Sequence, residues 1–137
     1  MQIRVGRIMI AAVGAEVLAV LALVLLVALF GPADGVAAQA YAERLGYWVG
    51  PIAGFGFCLL GGFWVARGLH TAQVPNGLVL GCVVAGIDIG ILVVSGAAFQ
   101  PVFAVSNIGR VIAGSVGGWI ARRFERPNRA LEPAAPL

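Results

Sequence analysis

Four long apolar runs, separated by short polar stretches, dominate the pattern of hydrophobic and polar positions along the chain. Runs of about 18 or more apolar residues are long enough to cross the hydrocarbon core of a bilayer as helices. The pattern therefore predicts an all-α, polytopic integral membrane protein with four transmembrane helices in one bundle over residues 1–122. The predicted spans are approximately 8–30, 48–66, 77–98 and 102–121.

The polar stretch between the first two runs predicts a short separate helix that lies on the membrane surface. Asp34 can cap its start, and apolar residues from Val36 to Leu45 recur along one side. The last segment, 123–137, is rich in Arg and Pro and has no helical periodicity. By itself it is expected to be a disordered cytoplasmic tail.

Composition agrees with a bilayer environment. Hydrophobic residues make up 61% of the 137 positions and charged residues 11%, with a mean hydropathy of +0.98. Soluble domains carry about 25% charged residues, so this chain has too few to cover a surface that faces water. A soluble globular protein is excluded.

The arginines predict the orientation. Arg44 alone lies on one side of the four spans, and the other side carries seven arginines. Because basic residues accumulate on the cytoplasmic side, both termini are expected in the cytoplasm, in a bacterial-type inner (plasma) membrane. The cluster at the end of the last span either binds anionic lipid headgroups or only sets the topology. It consists of Arg122, Arg123, Arg126 and Arg129. The arginines form no patch on a soluble face, so nucleic acid is not an expected partner.

A weak internal similarity suggests a tandem repeat of two-helix hairpins. Residues 61–67 resemble residues 117–122, and Gly14-Ala15-Glu16 resembles Gly86-Ile87-Asp88. Such a repeat would relate the hairpins by a pseudo-twofold axis along the membrane normal. Chance similarity between two Gly- and Ala-rich segments is the alternative.

Three ionisable residues fall within the predicted spans: Glu16, Asp88 and Arg110. Each costs about 2.5–3.5 kcal/mol at the bilayer centre, so such residues usually pair, face the bundle interior or mark a functional path. The three lie within about one helical turn of a common depth. Small residues share a helix face with Asp88 and with Arg110, so these two side chains are expected to point toward each other. Ser106 and Asn107 complete the polar set.

Glycine pairs at G-x-x-x-G spacing predict close helix packing, because small residues let backbones approach in lipid. The pairs are Gly50 with Gly54, Gly77 with Gly81, Gly86 with Gly90, and Gly114 with Gly118.

The charged residues have two main interpretations. The structural one is an Asp88–Arg110 ion pair that locks the third and fourth spans together. The functional one starts from two carboxylates sharing one guanidinium, which leaves one excess negative charge. Burial favours the neutral form of the less well paired acid, for which Glu16 is the candidate, and a carboxyl that exchanges a proton suits a proton-coupled transporter or cation path. A third possibility is that Glu16 or Arg110 meets a partner subunit or a lipid headgroup.

The sequence gives little support for a catalytic, metal or cofactor site. His70 is the single histidine, and no span places a histidine beside Ser95, Ser106 or Ser115, so a nucleophile with a general base cannot be assembled. Cys58 and Cys82 are predicted to be buried small hydrophobes. We therefore expect no enzyme, no cofactor and no metal.

Two functions remain from the sequence. The favoured hypothesis is a non-enzymatic accessory or structural subunit that packs in a larger membrane complex or with copies of itself. The alternative is a small proton- or cation-coupled transporter or channel component that uses Glu16, Asp88 and Arg110. Membrane lipids are expected partners in either case.

Overall fold

The computed structural model describes residues 2–96 and 98–129, with side chains as far as Glu125. These residues form four helices and no strand, in agreement with the predicted all-α class. In chain order the helices are α1 (Val5–Phe30), α2 (Gly35–Ala66), α3 (Gln73–Val94) and α4 (Pro101–Arg129).

Three of the helices, α1, α2 and α3, are long and apolar enough to cross a membrane. This finding supports the predicted membrane location. α4 is not among the three, and it carries Asn107 and Arg110 in its first three turns. The crossing of α4 and the orientation of the chain ends therefore stay predictions.

α2 differs most from the expected boundaries. The predicted surface helix and the second span are one continuous helix of 32 residues. Asp34 caps it as expected, because its side chain accepts a hydrogen bond of 2.9 Å from the backbone amide of Ala37. An isolated glycine such as Gly46 costs a helix only about 1 kcal/mol, and continued backbone hydrogen bonding outweighs that cost. At 1.5 Å per residue the helix is about 48 Å long, so its first part extends beyond a hydrocarbon core of about 30 Å.

The other boundaries shift for local reasons. α3 begins at Gln73 rather than at 77, since a helix tolerates proline in its first turn, and it ends at Val94 rather than at 98. Gly96 follows with a φ of +66°, a conformation that favours glycine. α4 continues to Arg129, into the predicted tail. The remainder of that tail, 130–137, lies outside the described residues.

The helices form a bundle in which α2 and α3 touch each other and both α1 and α4 pack against that pair. Within the described residues the backbones of α1 and α4 are not neighbours. A twofold axis relating the two hairpins would turn the α2–α3 contact into an α4–α1 contact. Because only the first of these exists in the described chain, the hairpin similarity in the sequence does not extend to symmetric packing.

Glycines on α4 explain its close approach to α2 and α3. A Cβ atom added at Gly114 would overlap the carbonyl of Gly77, and one added at Gly118 would overlap the carbonyl of Gln73. One added at Gly81 would lie 2.6 Å from the Cα of Val111. Gly77, Gly81, Gly114 and Gly118 therefore lie where α3 and α4 pack closely. Gly62 and Gly117, which the spacing pattern did not select, make a comparable contact between α2 and α4.

Three other glycines of the pattern do not pack closely against another helix of the described chain. Within that chain, Cβ atoms added at Gly50, Gly86 and Gly90 would have no neighbour within 4 Å. Gly86 and Gly90 lie exposed on α3, because α4 packs against the half of α3 that contains Gly77 and Gly81. Cys82 is likewise exposed, whereas Cys58 is buried as predicted. G-x-x-x-G spacing identifies a face that could pack closely, but not whether a neighbour covers it.

Polar contacts gather the start of the chain, the α2–α3 turn and the end of α4 at one end of the bundle. Asn76 is fully buried and donates to the carbonyls of Gln2 (2.9 Å) and Ala72 (2.8 Å). It also accepts from the backbone amide of Arg4 at 2.9 Å. Glu125 accepts from the backbone amide of Gly68. The sequence pattern assigned Asn76 to a loop and gave no indication of its burial.

The end of the bundle at which these polar contacts lie also carries most of the arginines, and we call it the arginine-rich end. It is defined by Arg4, Arg7, Arg67, Arg122 and Arg123. The guanidinium of Arg4 donates to the carbonyls of Arg67 and Gly68, both at 3.0 Å. Two further arginines stack on tryptophans: Arg7 lies 5.4 Å from the ring centre of Trp64, and Arg123 lies 5.0 Å from that of Trp119. The side chains of Arg126 and Arg129 lie outside the described residues, so lipid binding by this cluster stays a prediction.

Candidate functional site

Two carboxylates and one guanidinium meet in the interior of the bundle. Nη1 of Arg110 on α4 lies 3.0 Å from Oε1 of Glu16 on α1 and 2.9 Å from Oδ1 of Asp88 on α3. The exposed fraction of these side chains is 4% for Arg110, 12% for Glu16 and 20% for Asp88. We call Glu16, Asp88 and Arg110 the triad. It links three helices, including α1 and α4, whose backbones are not neighbours.

The expected contact between Asp88 and Arg110 is therefore present, and Glu16 joins it. The two acids differ in their partners. Asp88 also accepts a hydrogen bond of 2.9 Å from the amide nitrogen of Asn107, whereas Arg110 is the partner that the structure gives to Glu16. Glu16 is thus the less well paired acid, as the sequence analysis expected.

Asn107 connects the triad to the backbone of α4. Its amide nitrogen donates both to Asp88 and to the carbonyl of Phe103, each at 2.9 Å. Its Oδ1 atom is buried without a hydrogen-bond partner in the described chain. Ser106, one residue earlier, is 8% exposed. Both residues of the predicted polar set are therefore next to the triad.

Gly54 on α2 provides the space for the arginine. A Cβ atom at this position would lie 2.5 Å from Nε of Arg110 and 3.1 Å from its Cζ. The Nε atom is buried and has no partner in the described residues. The spacing pattern selected Gly54 for helix packing. The structure shows that the absent side chain accommodates a guanidinium instead, which the spacing could not reveal.

Replacing Gly54 with alanine should therefore displace the Arg110 side chain and strain the triad. We expect the free energy of unfolding to fall by about 1–3 kcal/mol, the usual cost of overpacking a core. The measurement is a denaturant titration of the purified protein in mixed detergent micelles. Gly56→Ala is the matched control on the same helix, because a Cβ there would have no neighbour within 4 Å. Equal stability of the two variants would contradict the proposed fit.

A cavity of about 380 Å³ lies beside the triad, between α2, α3 and α4. It reaches from Glu43 and Gln100, which are exposed at the end of the bundle opposite the arginine-rich end, to Asp88 and Arg110. The other lining residues are Gly46, Tyr47, Gly50, Pro51, Leu92, Val102, Phe103 and Ser106. The triad is therefore buried within the bundle but can be reached from one end.

Three residues that the sequence analysis did not select as site residues line the cavity: Glu43, Tyr47 and Gln100. Glu43 falls in the stretch that was predicted to lie on the membrane surface. Because α2 is continuous through this stretch, the residue stands one helix turn from Tyr47 along the same cavity wall. Reading the two segments as a single helix would have shown this placement.

The remaining chemical groups stand apart from the triad. His70 lies at the arginine-rich end, where it lines a second cavity together with Arg122. The hydroxyls of Ser95 and Ser115 donate to backbone carbonyls of their own segments, at 3.0 Å and 2.9 Å. Within residues 2–96 and 98–129, no three His, Cys, Asp or Glu side chains converge in a way that could hold a metal ion.

Comparisons with other proteins add no family assignment. No protein-family model, no curated protein and no solved structure is significantly similar to this chain. A functional assignment for this chain therefore depends on the geometry of the triad and its cavity.

Proposed function

We propose that this chain is a non-enzymatic membrane protein whose triad binds a proton or a small cation, as a small secondary transporter or channel component. One observation carries the proposal: two carboxylates share a single guanidinium, and that guanidinium and one of the carboxylates, Asp88, line the inner end of a cavity. The cavity supplies a route to the charges, which a purely structural ion pair would not need.

The charge of the triad explains why it would take up a cation. With all three groups ionised, Glu16, Asp88 and Arg110 carry one excess negative charge. An unbalanced charge near the bilayer centre costs about 2.5–3.5 kcal/mol. Binding a proton or a small cation removes this cost, so occupancy by a cation is favoured. Glu16, with one partner, is the group we propose to exchange the proton.

The proposal also includes the fourth span and the orientation. We propose that α4 crosses the membrane, because its glycine face packs against α2 and α3, both of which are long enough to span. The excess of arginine at the arginine-rich end supports a cytoplasmic location for that end in a bacterial-type cell, because basic residues accumulate on the cytoplasmic side. The cavity would then open on the outer side of an inner membrane.

Ion flux into vesicles tests this function. The protein is reconstituted into liposomes that contain a pH-sensitive dye, and proton movement is followed after gradients of Na⁺ or K⁺ are imposed. We expect flux above that of empty liposomes, and a loss of at least about tenfold in Glu16→Gln and Asp88→Asn, because each variant removes the excess negative charge.

Asp34→Asn is the matched control for those variants. It also removes a carboxylate, but from an exposed position, and asparagine caps a helix as well as aspartate does. Absence of flux in the parent protein, or equal flux in the parent and both triad variants, would reject the transport proposal.

A second candidate function is an accessory or structural subunit that packs with copies of itself or with another membrane protein. One observation favours it: Gly86 and Gly90 lie exposed on α3 with no neighbour, and Cys82 lies one turn away on the same face. Glycine pairs at this spacing allow close contact between transmembrane helices.

Cross-linking through Cys82 tests this second function for self-association. Oxidation of native membranes with copper phenanthroline should give a product of twice the chain mass. Cys82→Ser should abolish the product, and Gly86→Leu should reduce it by separating the helices. Cys58 should not contribute because it is buried. A single-chain mass in mild detergent, together with no cross-link in membranes, would exclude the homo-oligomer.

A further inference from the structure

We propose that the cavity beside the triad binds a small organic cation that carries a primary ammonium group and a short apolar body. This inference rests on the proposed function, because it takes the excess negative charge of the triad as one source of cation selectivity. It goes further by assigning a ligand class to the cavity and a recognition role to Glu43, Tyr47 and Ser106.

The size of the cavity favours a molecule over a bare metal ion. Its volume of about 380 Å³ falls within the range of about 300–1,000 Å³ that is typical of small-molecule sites. A water molecule occupies about 30 Å³ of liquid volume. An inorganic ion would fill a small part of the cavity, whereas a ligand of several heavy atoms would contact its walls.

The charges select a cation. Glu43 and Asp88 both line the cavity, and Glu16 contacts Arg110 beside it. Against these three carboxylates stands the one guanidinium of Arg110, so the ionised groups lining or adjoining the cavity carry two excess negative charges. An anionic ligand would be repelled, while a cation would be drawn from the exposed Glu43 toward Asp88.

The polar atoms of the wall suit a group with several N–H donors. One oxygen of Asp88 accepts a hydrogen bond from Asn107, the other forms the ion pair with Arg110, and a carboxylate oxygen can accept more than one hydrogen bond. Ser106 is 8% exposed and lines the cavity, and its hydroxyl makes no hydrogen bond within the described part of the chain. A primary ammonium has three donors, which carboxylate and hydroxyl oxygens can satisfy.

Apolar and aromatic side chains complete the wall. Leu92, Val102 and Phe103 line the cavity together with Tyr47. An alkyl chain would pack on the first three, and the face of an aromatic ring such as that of Tyr47 attracts a nearby cation. A wall with both acceptors and apolar groups matches an amphipathic cation better than a fully hydrated inorganic one.

Binding of n-butylammonium to the full-length protein in lipid nanodiscs tests the inference. Isothermal titration calorimetry near pH 7 should show saturable binding of one ligand per chain. Glu43→Gln should weaken binding about tenfold, because it removes one of the two excess negative charges around the cavity that attract the cation. Asp34→Asn, which removes an exposed carboxylate outside the cavity, should leave it unchanged. Because Glu43 is exposed, its replacement should not prevent folding.

Tetramethylammonium is the matched control ligand, because it carries the same charge without N–H donors. We expect it to bind at least about tenfold more weakly, since a primary ammonium alone can donate to the wall. Equal binding of the two cations, equal binding by the parent and Glu43→Gln, or no saturable binding would each overturn the inference.

The binding experiment and the ion-flux experiment can fail independently of each other. If ion flux depends on Glu16 and Asp88 but butylammonium does not bind, the transport proposal stands and this inference fails. If butylammonium binds as expected and no flux occurs, the assignment of the cavity stands and the transport proposal fails.

Discussion

Replacing Arg110 with methionine should lower the free energy of unfolding by about 3–5 kcal/mol, the cost of removing one partner from a buried ion pair. Methionine has a similar length but no charge, so Glu16 and Asp88 would be left as two buried carboxylates with no guanidinium between them. Denaturant titration in mixed micelles measures the loss. Arg44→Met, at an exposed position, is the matched control and should change stability by less than about 0.5 kcal/mol.

A triple variant separates the charge effect from loss of packing. When Arg110→Met is combined with Glu16→Gln and Asp88→Asn, no uncompensated charge remains, and most of the lost stability should return. A triple variant as unstable as Arg110→Met alone would show that the guanidinium contributes mainly through its contacts with Gly54 and the surrounding helices rather than by neutralising the acids.

Gly114→Ala should be the second most damaging change. A Cβ atom there would overlap the carbonyl of Gly77 and lie 3.1 Å from the backbone nitrogen of Gly81. Both obstacles belong to the α3 backbone, which cannot rotate away as a side chain can. We expect a loss of about 3 kcal/mol, at the upper end of the range for overpacking, measured in the same titration.

Gly14→Ala on α1 is the control for the glycine contact. A Cβ at Gly14 would have no neighbour within 4 Å, and alanine is the better helix former by about 1 kcal/mol. The variant should be as stable as the parent or slightly more so. If Gly114→Ala and Gly14→Ala behaved alike, the close contact between α3 and α4 would be wrong.

The two ends of the bundle differ in a way that bears on function. At the arginine-rich end, Asn76, Arg4 and Glu125 bind backbone groups and connect three parts of the chain. At the opposite end, the cavity extends between α2, α3 and α4 to the triad. The cavity therefore leads to Asp88 and Arg110 from the end that carries Glu43, an access that a simple structural ion pair does not need.

Much of the site could be predicted from the sequence. An unpaired charge in hydrocarbon has a large free-energy cost, and that cost can be assigned to individual residues without knowing the fold. Glu16, Asp88 and Arg110 stood out in apolar runs, and their similar depths indicated that they could meet. Hydropathy identified the same helices that the structure contains. It did not reveal that the second helix begins at Gly35, because the polar character of 35–47 resembles that of a loop although its backbone remains helical.

The sequence did not determine which helix faces are covered by a neighbouring helix. Gly77 and Gly86 belong to the same spacing pattern, yet one contacts α4 and the other has no neighbour. Cys58 and Cys82 look alike in the sequence, yet one is buried and one exposed. Such differences depend on where α4 lies along α3, and the spacing of residues within a single helix carries no information about that position.

The amino-acid sequence by itself determined the apolar character of the helices, the arginine excess at one end and the need for the buried ions to find partners. These follow from the solvent, since hydrocarbon penalises each unpaired charge wherever the helix is placed. Only the tertiary structure decided that Gly54 makes room for the guanidinium, that Asn76 is buried and that Glu43 shares a cavity with Asp88. Those relations join residues from different helices, and the relative rotation and height of the helices depend on all their contacts together.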